Sequence, residues 1–393
     1  ESNFVLECFQ KAKQSLSNCH VSKQDRVPHI ALLGSGGGER AAVSLVGSLY
    51  QMAEEGLLDT LFYIGGISGS TWAMSSLYGH PDWSTNVESV ISELIGPGIK
   101  KEDARNWLSE RAKDECFSVT DVWAVGIALI MKKLDQGCLS KDVDKDAYNP
   151  YPIYCAIERE SHWFEMTPHE AGFTELGLFV ETSLLGSKFE DGTLLEKKPE
   201  MDMIKLQVNR EVSKFALYLA DDSVPRFLQS KEEIYLIDAG LMMNVPYPPF
   251  LGEKRGINLI IAPEFSAGKM FETLTLARDY AAKVGKPFPK IDDKIIEKDR
   301  DFPKDCYVFE GKGKEPTIIY MPLFNRRNCK GLRLFFWPSS MDEFSTFQRA
   351  YNNKKINILL EMAKDNIKMN KKTLLEEIEK AANKAAKVSQ RRS

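Results

Sequence analysis

The sequence predicts an α/β fold, a mostly parallel central sheet with helices on both faces, and three observations carry that prediction. Short apolar runs stop at glycine: Val27-Pro28-His29-Ile30-Ala31-Leu32-Leu33 runs into Gly34-Ser35-Gly36-Gly37-Gly38, and Leu61-Phe62-Tyr63-Ile64 into Gly65-Gly66. Each run is followed by apolar residues at helical spacing. Strand, helix, strand, helix in this order implies parallel pairing.

Taken in order, Phe4, Val5, Cys8, Phe9, Ala12 and Leu16 predict an amphipathic opening helix. Val27 to Leu33 reads as a buried strand entering a glycine loop. Ala41 to Glu55 is the next helix, with Val43, Val46, Leu49, Tyr50 and Met52 on one side. Leu61 to Ile64 is the second strand, and Thr71 to Leu77 begins the second of these helices. From about residue 81 to 230 the pattern weakens, with helical stretches at Glu102 to Lys113 and Asp121 to Leu134, and this span reads as inserted or cap material. Strand patterns return at Glu233 to Asp238, Ile257 to Ala262, Cys306 to Phe309 and Thr317 to Met321. Asn353 to Val388, a long lysine- and alanine-rich stretch, reads as helix. No internal repeat or long linker interrupts the chain, so residues 1–393 are expected to form a single catalytic domain with inserted segments.

Composition excludes several function classes. The 393 residues are 43% hydrophobic, enough for a sizeable core. Lysine and arginine number 52 against 56 acidic residues, a net charge of -4 that offers no global case for nucleic acid. The seven cysteines (Cys8, Cys19, Cys116, Cys138, Cys155, Cys306, Cys329) are scattered and never spaced Cys-x-x-Cys, which predicts free thiols in a reducing compartment. With five histidines and no Cys/His cluster, neither a metal nor another cofactor is expected. The first residues lack a signal-peptide core. The longest apolar run, Trp123 to Met131, is well short of the roughly 20 residues that span a bilayer, so any lipid contact is expected to be peripheral.

Gly65-Gly66-Ile67-Ser68-Gly69-Ser70 falls where a strand turns into a helix, the geometry that exposes a serine Oγ as a nucleophile. The final glycine of the usual elbow is missing, so taken alone a glycine turn with a structural serine is an equal reading. The loop Gly34 to Gly38 lacks both the sixth-position glycine of a dinucleotide fingerprint, where Glu39 stands, and the Gly-Lys-Ser/Thr of a P-loop. What remains is a loop of backbone N–H groups suited to an oxyanion, or a structural turn. Arg40 stands in the first turn of a helix, where a cation opposes the dipole by up to about 1 kcal/mol. A bound phosphate would reverse that sign; a solvated arginine would tolerate it. No histidine follows His169, whereas ordinary α/β hydrolases take theirs late, so the standard triad would have to be rearranged, and His162 and His169 read as structural or surface residues. Asp238 ends an apolar strand ahead of Ala239-Gly240, which makes it the better base.

The blocks Ser35-Gly36-Gly37-Gly38-Glu39-Arg40, Gly66-Ile67-Ser68-Gly69-Ser70 and Asp238-Ala239-Gly240 resemble the three catalytic blocks of the group IV cytosolic phospholipase A2 family. Trp163 to Pro168, Gly186 to Phe189, Asn244 to Pro248 and Pro287 to Lys290 are similar to further segments of that domain in the same order. The resemblance runs from about Val27 to at least Phe347 and is strongest to the gamma form, which lacks a C2 domain. It implies the patatin-like catalytic fold of that family, with an inserted cap, and hydrolysis of glycerophospholipid acyl esters without calcium, together with lysophospholipase and transacylase activity.

By that resemblance Ser68 is the acylated nucleophile, Asp238 its base, Gly37 and Gly38 the oxyanion donors and Arg40 the ligand of the substrate phosphate. Arg255 and Asn244 match further family positions of looser role. The expected partners are a phospholipid membrane surface, visited peripherally from the cytoplasm, and glycerophospholipid and lysophospholipid substrates. Two departures stand out. The chain ends Gln390-Arg391-Arg392-Ser393 where the gamma form carries a prenylation box, and the stretch between Phe189 and Glu232 is shorter than the family's cap. Two rival readings use the same residues: a general esterase or thioesterase, and a catalytically silent lipid-binding protein.

Overall fold

The computed structural model describes residues 27–113, 117–144, 149–159, 161–190, 193–208, 212–215, 234–329, 343–346 and 350–392. The helix expected over Phe4 to Leu16 lies outside the described residues. Strand β1 (Ile30–Gly34) is followed by α1 (Glu39–Glu54), β2 (Tyr63–Gly66), α2 (Gly69–Tyr78), α3 (Val87–Ile95), α4 (Lys101–Arg111) and α5 (Val119–Met131). Then come β3 (Tyr151–Glu158), β4 (Trp163–Met166), β5 (Glu170–Phe173), β6 (Leu178–Glu181), the hairpin β7 (Lys188–Glu190) and β8 (Thr193–Glu196), α6 (Met203–Val208), β9 (Val212–Phe215) and β10 (Ile234–Ile237). The chain continues through β11 (Leu259–Glu264), α7 (Glu272–Lys283), α8 (Asp293–Asp299), β12 (Tyr307–Phe309), β13 (Thr317–Pro322), α9 (Asn353–Met369) and α10 (Lys371–Arg392).

The main sheet runs β12-β13-β11-β1-β2-β3-β4-β5-β6, with β10 also on β3 and β9 on β10. Its centre, β13-β11-β1-β2-β3, is parallel as the sequence predicts. Antiparallel strands are added at both flanks. Burial of both faces explains the continuous apolar runs. In β1, Ile30 and Leu32 enter the core beneath α1, α2 and α9, while Ala31 and Leu33 enter the core beneath α7.

One expectation is corrected and another refined. The span 81–230 contributes β3 to β6 to the main sheet, so much of it is not cap material. Its strands escaped the alternation test because Pro152 to Glu158 and Trp163 to Met166 are buried throughout. The stretch from Asn353 to Val388 is helical as expected, in two helices, α9 and α10. They part at Asn370, whose side-chain amide donates to Asn366 O at 2.9 Å and to Asp305 Oδ2 at 3.2 Å. An asparagine that hydrogen-bonds locally in this way competes with the helix ladder.

Candidate active site

Ser68 caps the N-terminus of α2 with φ 47° and ψ -129°, a backbone region sparsely populated for a residue with a Cβ. The strain is held by the first turn of the helix. Ser68 O accepts from Thr71 N at 2.9 Å and Thr71 Oγ1 at 2.5 Å, and Ser70 N donates to Ile67 O at 3.1 Å. The serine is half-buried, lifted off the C-terminal end of β2.

Asp238 arrives from the opposite direction. Ile157 of β3 pairs with Trp163 on one flank and Ile237 on the other, so β10 occupies the flank that β2 uses further back, where Gly66 lies opposite Tyr154. β2 runs parallel to β3 and β10 antiparallel to it, so the two strands meet end to end. The three residue steps from Tyr154 to Ile157 span about 10 Å. Into that gap the chain delivers Ser68, two residues past β2, and Asp238, one residue past β10. Asp238 Oδ1 also accepts Gly240 N at 2.8 Å, which fixes the turn that follows.

The glycine loop closes over the same gap. Gly36 N donates to Asn244 O at 2.9 Å, and Asn244 Nδ2 donates to Gly36 O at 3.2 Å, so Asn244 holds Gly36 through both of its backbone polar groups. A Cβ at Gly36 would stand 3.0 Å from Ser68 Cβ, which shows how near the loop passes. Gly37 and Gly38 have φ 146° and 59°, conformations that glycine permits, and neither spends its N–H on a hydrogen bond among the described residues. Gly38 also caps α1, so the positive end of that helix points at the site. Ser35 locks the loop's root: its carbonyl accepts Ser70 Oγ and its Oγ accepts Phe265 N, both at 2.6 Å.

Arg40 is not exposed to a substrate phosphate. It is fully buried, its Nε donates to Phe265 O at 2.6 Å, its Nη1 to Phe344 O and its Nη2 to Thr346 Oγ1 at 3.3 Å. A Cβ at Gly37 would lie 2.8 Å from Nη2, so the guanidinium forms the floor of the glycine loop. Burial lowers its pKa. The fork geometry expected to read phosphate instead satisfies three protein acceptors on two segments. Beside it Glu39 accepts Tyr351 N at 2.8 Å, and burial raises its carboxyl to about 7 against the opposing pull of that hydrogen bond.

Arg255 is likewise committed to protein acceptors. Its carbonyl meets His29 Nδ1 at 2.6 Å at the start of β1, the end of the sheet away from the elbow. Its guanidinium forks onto the buried Glu165 at 2.5 and 3.0 Å and donates to Pro249 O at 2.7 Å, a staple between β4 and the loop before β11. His169 stacks on Tyr151 and bonds its hydroxyl at 2.9 Å; Tyr151 pairs with Tyr63 at the start of β2, again far from Ser68. His162 sits edge-on to Phe173 with Glu175 at 3.9 Å. Among the described residues no cluster of three or more His, Cys, Asp or Glu could hold a metal ion.

The sequence reading missed Ser35, Ser266, which accepts from Asn244 Nδ2, and the Phe344–Thr346 segment that seats Arg40. Ser35 and Ser266 carried a usable signal, since each lies just past a strand end at the same sheet edge as Ser68. The Phe344–Thr346 contact, more than 300 residues from Arg40, left no local trace.

A parallel α/β sheet with a strained serine on a strand-to-helix turn, beside a glycine loop at a helix N-terminus, is the architecture of serine-type ester hydrolases. Comparison narrows the class. The lysophospholipase catalytic domain matches residues 30–206. Human cytosolic phospholipase A2 gamma is 27% identical, covering 95% of this chain and 94% of its own, and mouse cytosolic phospholipase A2 zeta is 27% identical over 77% of this chain and 50% of its own. Among solved structures, human GIVD cytosolic phospholipase A2 superposes with a TM-score of 0.78 at 21% identity over 97% of this chain. Its complex with methyl gamma-linolenyl fluorophosphonate gives 0.74 at 24% over 98%. This chain spans 63% and 64% of the lengths of those two solved chains. The chain is thus similar to cytosolic phospholipases A2 along nearly its whole length.

Proposed function

We propose that this protein hydrolyses acyl esters of glycerophospholipids and lysophospholipids through an acyl-serine intermediate on a Ser68–Asp238 dyad, without calcium. The observation that carries the dyad is the end-to-end meeting of β2 and β10 on one flank of β3. Ser68 Oγ attacks the acyl carbonyl, its proton passes to the Asp238 carboxylate, and the N–H groups of Gly37 and Gly38 take the developing oxyanion. Collapse breaks the bond to the glycerol oxygen, which leaves with the proton from Asp238. Water then adds to the acyl-serine with Asp238 as base, and the fatty acid departs. Delivery to a lipid hydroxyl in place of water would be transacylation.

Arg40 serves this chemistry from beneath, as the floor that holds Gly37 in place. A peripheral membrane approach is supported by apolar side chains left in solvent. Leu241, three residues past Asp238, is 79% exposed, and Val119, Val122 and Trp123 on α5 are 84%, 51% and 46% exposed. No helix among the described residues is long and apolar enough to cross a membrane.

Positionally labelled phosphatidylcholine and lysophosphatidylcholine, presented as vesicles and micelles with and without chelator, test the reading. Release of labelled fatty acid, undiminished by chelator, is the expected outcome. Turnover of monomeric soluble esters alone would move the assignment to a general esterase, and vesicle binding without any turnover would leave a lipid-binding protein.

A further inference from the structure

We propose that Glu264 is a positioning residue for acyl transfer, acting through Ser266 and Asn244 to fix the Gly36 peptide against Ser68. This rests on the acyl-serine reading above. Glu264 is the last residue of β11, the strand beside β1, and is only 5% exposed. Its carboxylate accepts from Ser266 N at 3.0 Å, from Ser266 Oγ, and from Thr273 Oγ1 in the first turn of α7. Arg40 from α1, Tyr247 from the loop after β10 and Tyr320 from β13 also face it. Burial pushes the carboxyl pKa up, but each of these hydrogen bonds is donated to it, which favours the charged form.

The direction of each bond in the chain follows from chemistry. Ser266 has one hydroxyl proton, given to Glu264, so its oxygen is left to accept, and Asn244 Nδ2 supplies the donor. The same amide nitrogen also bonds Gly36 O, while Asn244 O takes Gly36 N–H. Asn244 lies six residues past Asp238, on the same loop, so one buried carboxylate sets the glycine loop and the proposed base relative to each other. Packing alone would be met by any side chain of this volume. A chain of directed hydrogen bonds would not.

The test compares wild type, Glu264→Gln, Ser266→Ala and the double variant on one ester substrate. Active sites are counted by fluorophosphonate titration, and unfolding midpoints are recorded alongside. Positioning predicts a fall in kcat per titrated site of about tenfold for Glu264→Gln, with KM within about twofold, because a buried hydrogen-bonded link is lost where only the transition state needs the alignment. Ser266→Ala should lose a similar factor, and the double variant little more than the worse single, since both cut one chain. Should Glu264→Gln fold poorly, Ser266→Ala alone must still show the kcat loss. Wild-type kcat in either folded variant, or losses that multiply, would overturn the proposal. If wild type forms no covalent adduct, the acyl-serine reading itself falls and this proposal with it, whereas labelled wild type beside a fully active Glu264→Gln sinks only the role of Glu264.

Discussion

Gly69, the residue after the proposed nucleophile, is where the elbow and the glycine loop touch. A Cβ placed there would stand 2.6 Å from the Gly38 carbonyl carbon and 2.8 Å from Gly38 N, and closer still to Gly38 O. These are backbone atoms at the N-cap of α1, so no side chain can swing aside. Restoring an ordinary carbon contact of about 3.5 Å requires the two segments to part by about 1 Å. Since misplacing a catalytic group by about 1 Å costs on the order of 10²-fold, Gly69→Ala should lower kcat by about 10²-fold or more, or about 2.7 kcal/mol of transition-state stabilisation. The assay is single-turnover acylation of Ser68 by a chromogenic ester, with circular dichroism to confirm folding and fluorophosphonate labelling to count sites. A folded Gly69→Ala protein acylated at the wild-type rate would refute the claim that Gly38 works in contact with the elbow.

Other consequences follow from single residues. Arg40→Lys cannot span Phe265 O, Phe344 O and Thr346 Oγ1, so it should destabilise by about 2–5 kcal/mol and reduce activity equally on phosphatidylcholine and a phosphate-free ester; a loss confined to the phospholipid would return Arg40 to a phosphate-reading role. Glu39, with its folded pKa raised from 4.5 to about 7, binds a proton more tightly when folded. Its contribution to stability is therefore present below pH 4.5 and is lost as pH rises through about 7. Glu39→Gln keeps an acceptor for Tyr351 N–H without the charge, so it should melt higher than wild type above pH 7 with a gap that narrows toward pH 4.5, and a gap independent of pH would contradict this. Gly126 in α5 has open space where a Cβ would go, so Gly126→Ala should stabilise by about 0.5–1 kcal/mol, read as a higher urea midpoint.

Much of this arrangement could be read in the sequence. Gly34 to Arg40, Gly65 to Ser70 and Asp238 to Gly240 announce themselves because strand ends, glycines and short apolar runs are local features. The parallel centre of the sheet was legible for the same reason. The antiparallel course of β10 was not, because a strand's direction is set by its partner β3, some 80 residues away. Arg40 shows the sharper limit. Its residue type and helix position fit a phosphate ligand as well as a buried prop, and only the distant Phe344 and Thr346 decide between them. Likewise Arg255 looked available until Glu165 appeared across the sheet, fully buried and bonded to it.

The central claim is that Ser68 becomes acylated with Asp238 as its base, and one measurement reaches it most directly. Intact-mass and peptide analysis after incubation with a long-chain fluorophosphonate should find one adduct per chain on Ser68, none on Ser68→Ala, and a rate reduced by about 10²- to 10⁴-fold on Asp238→Asn, while His162→Ala and His169→Ala label as wild type does. An adduct on another residue, or undiminished labelling of the Asp238→Asn protein, would contradict the account.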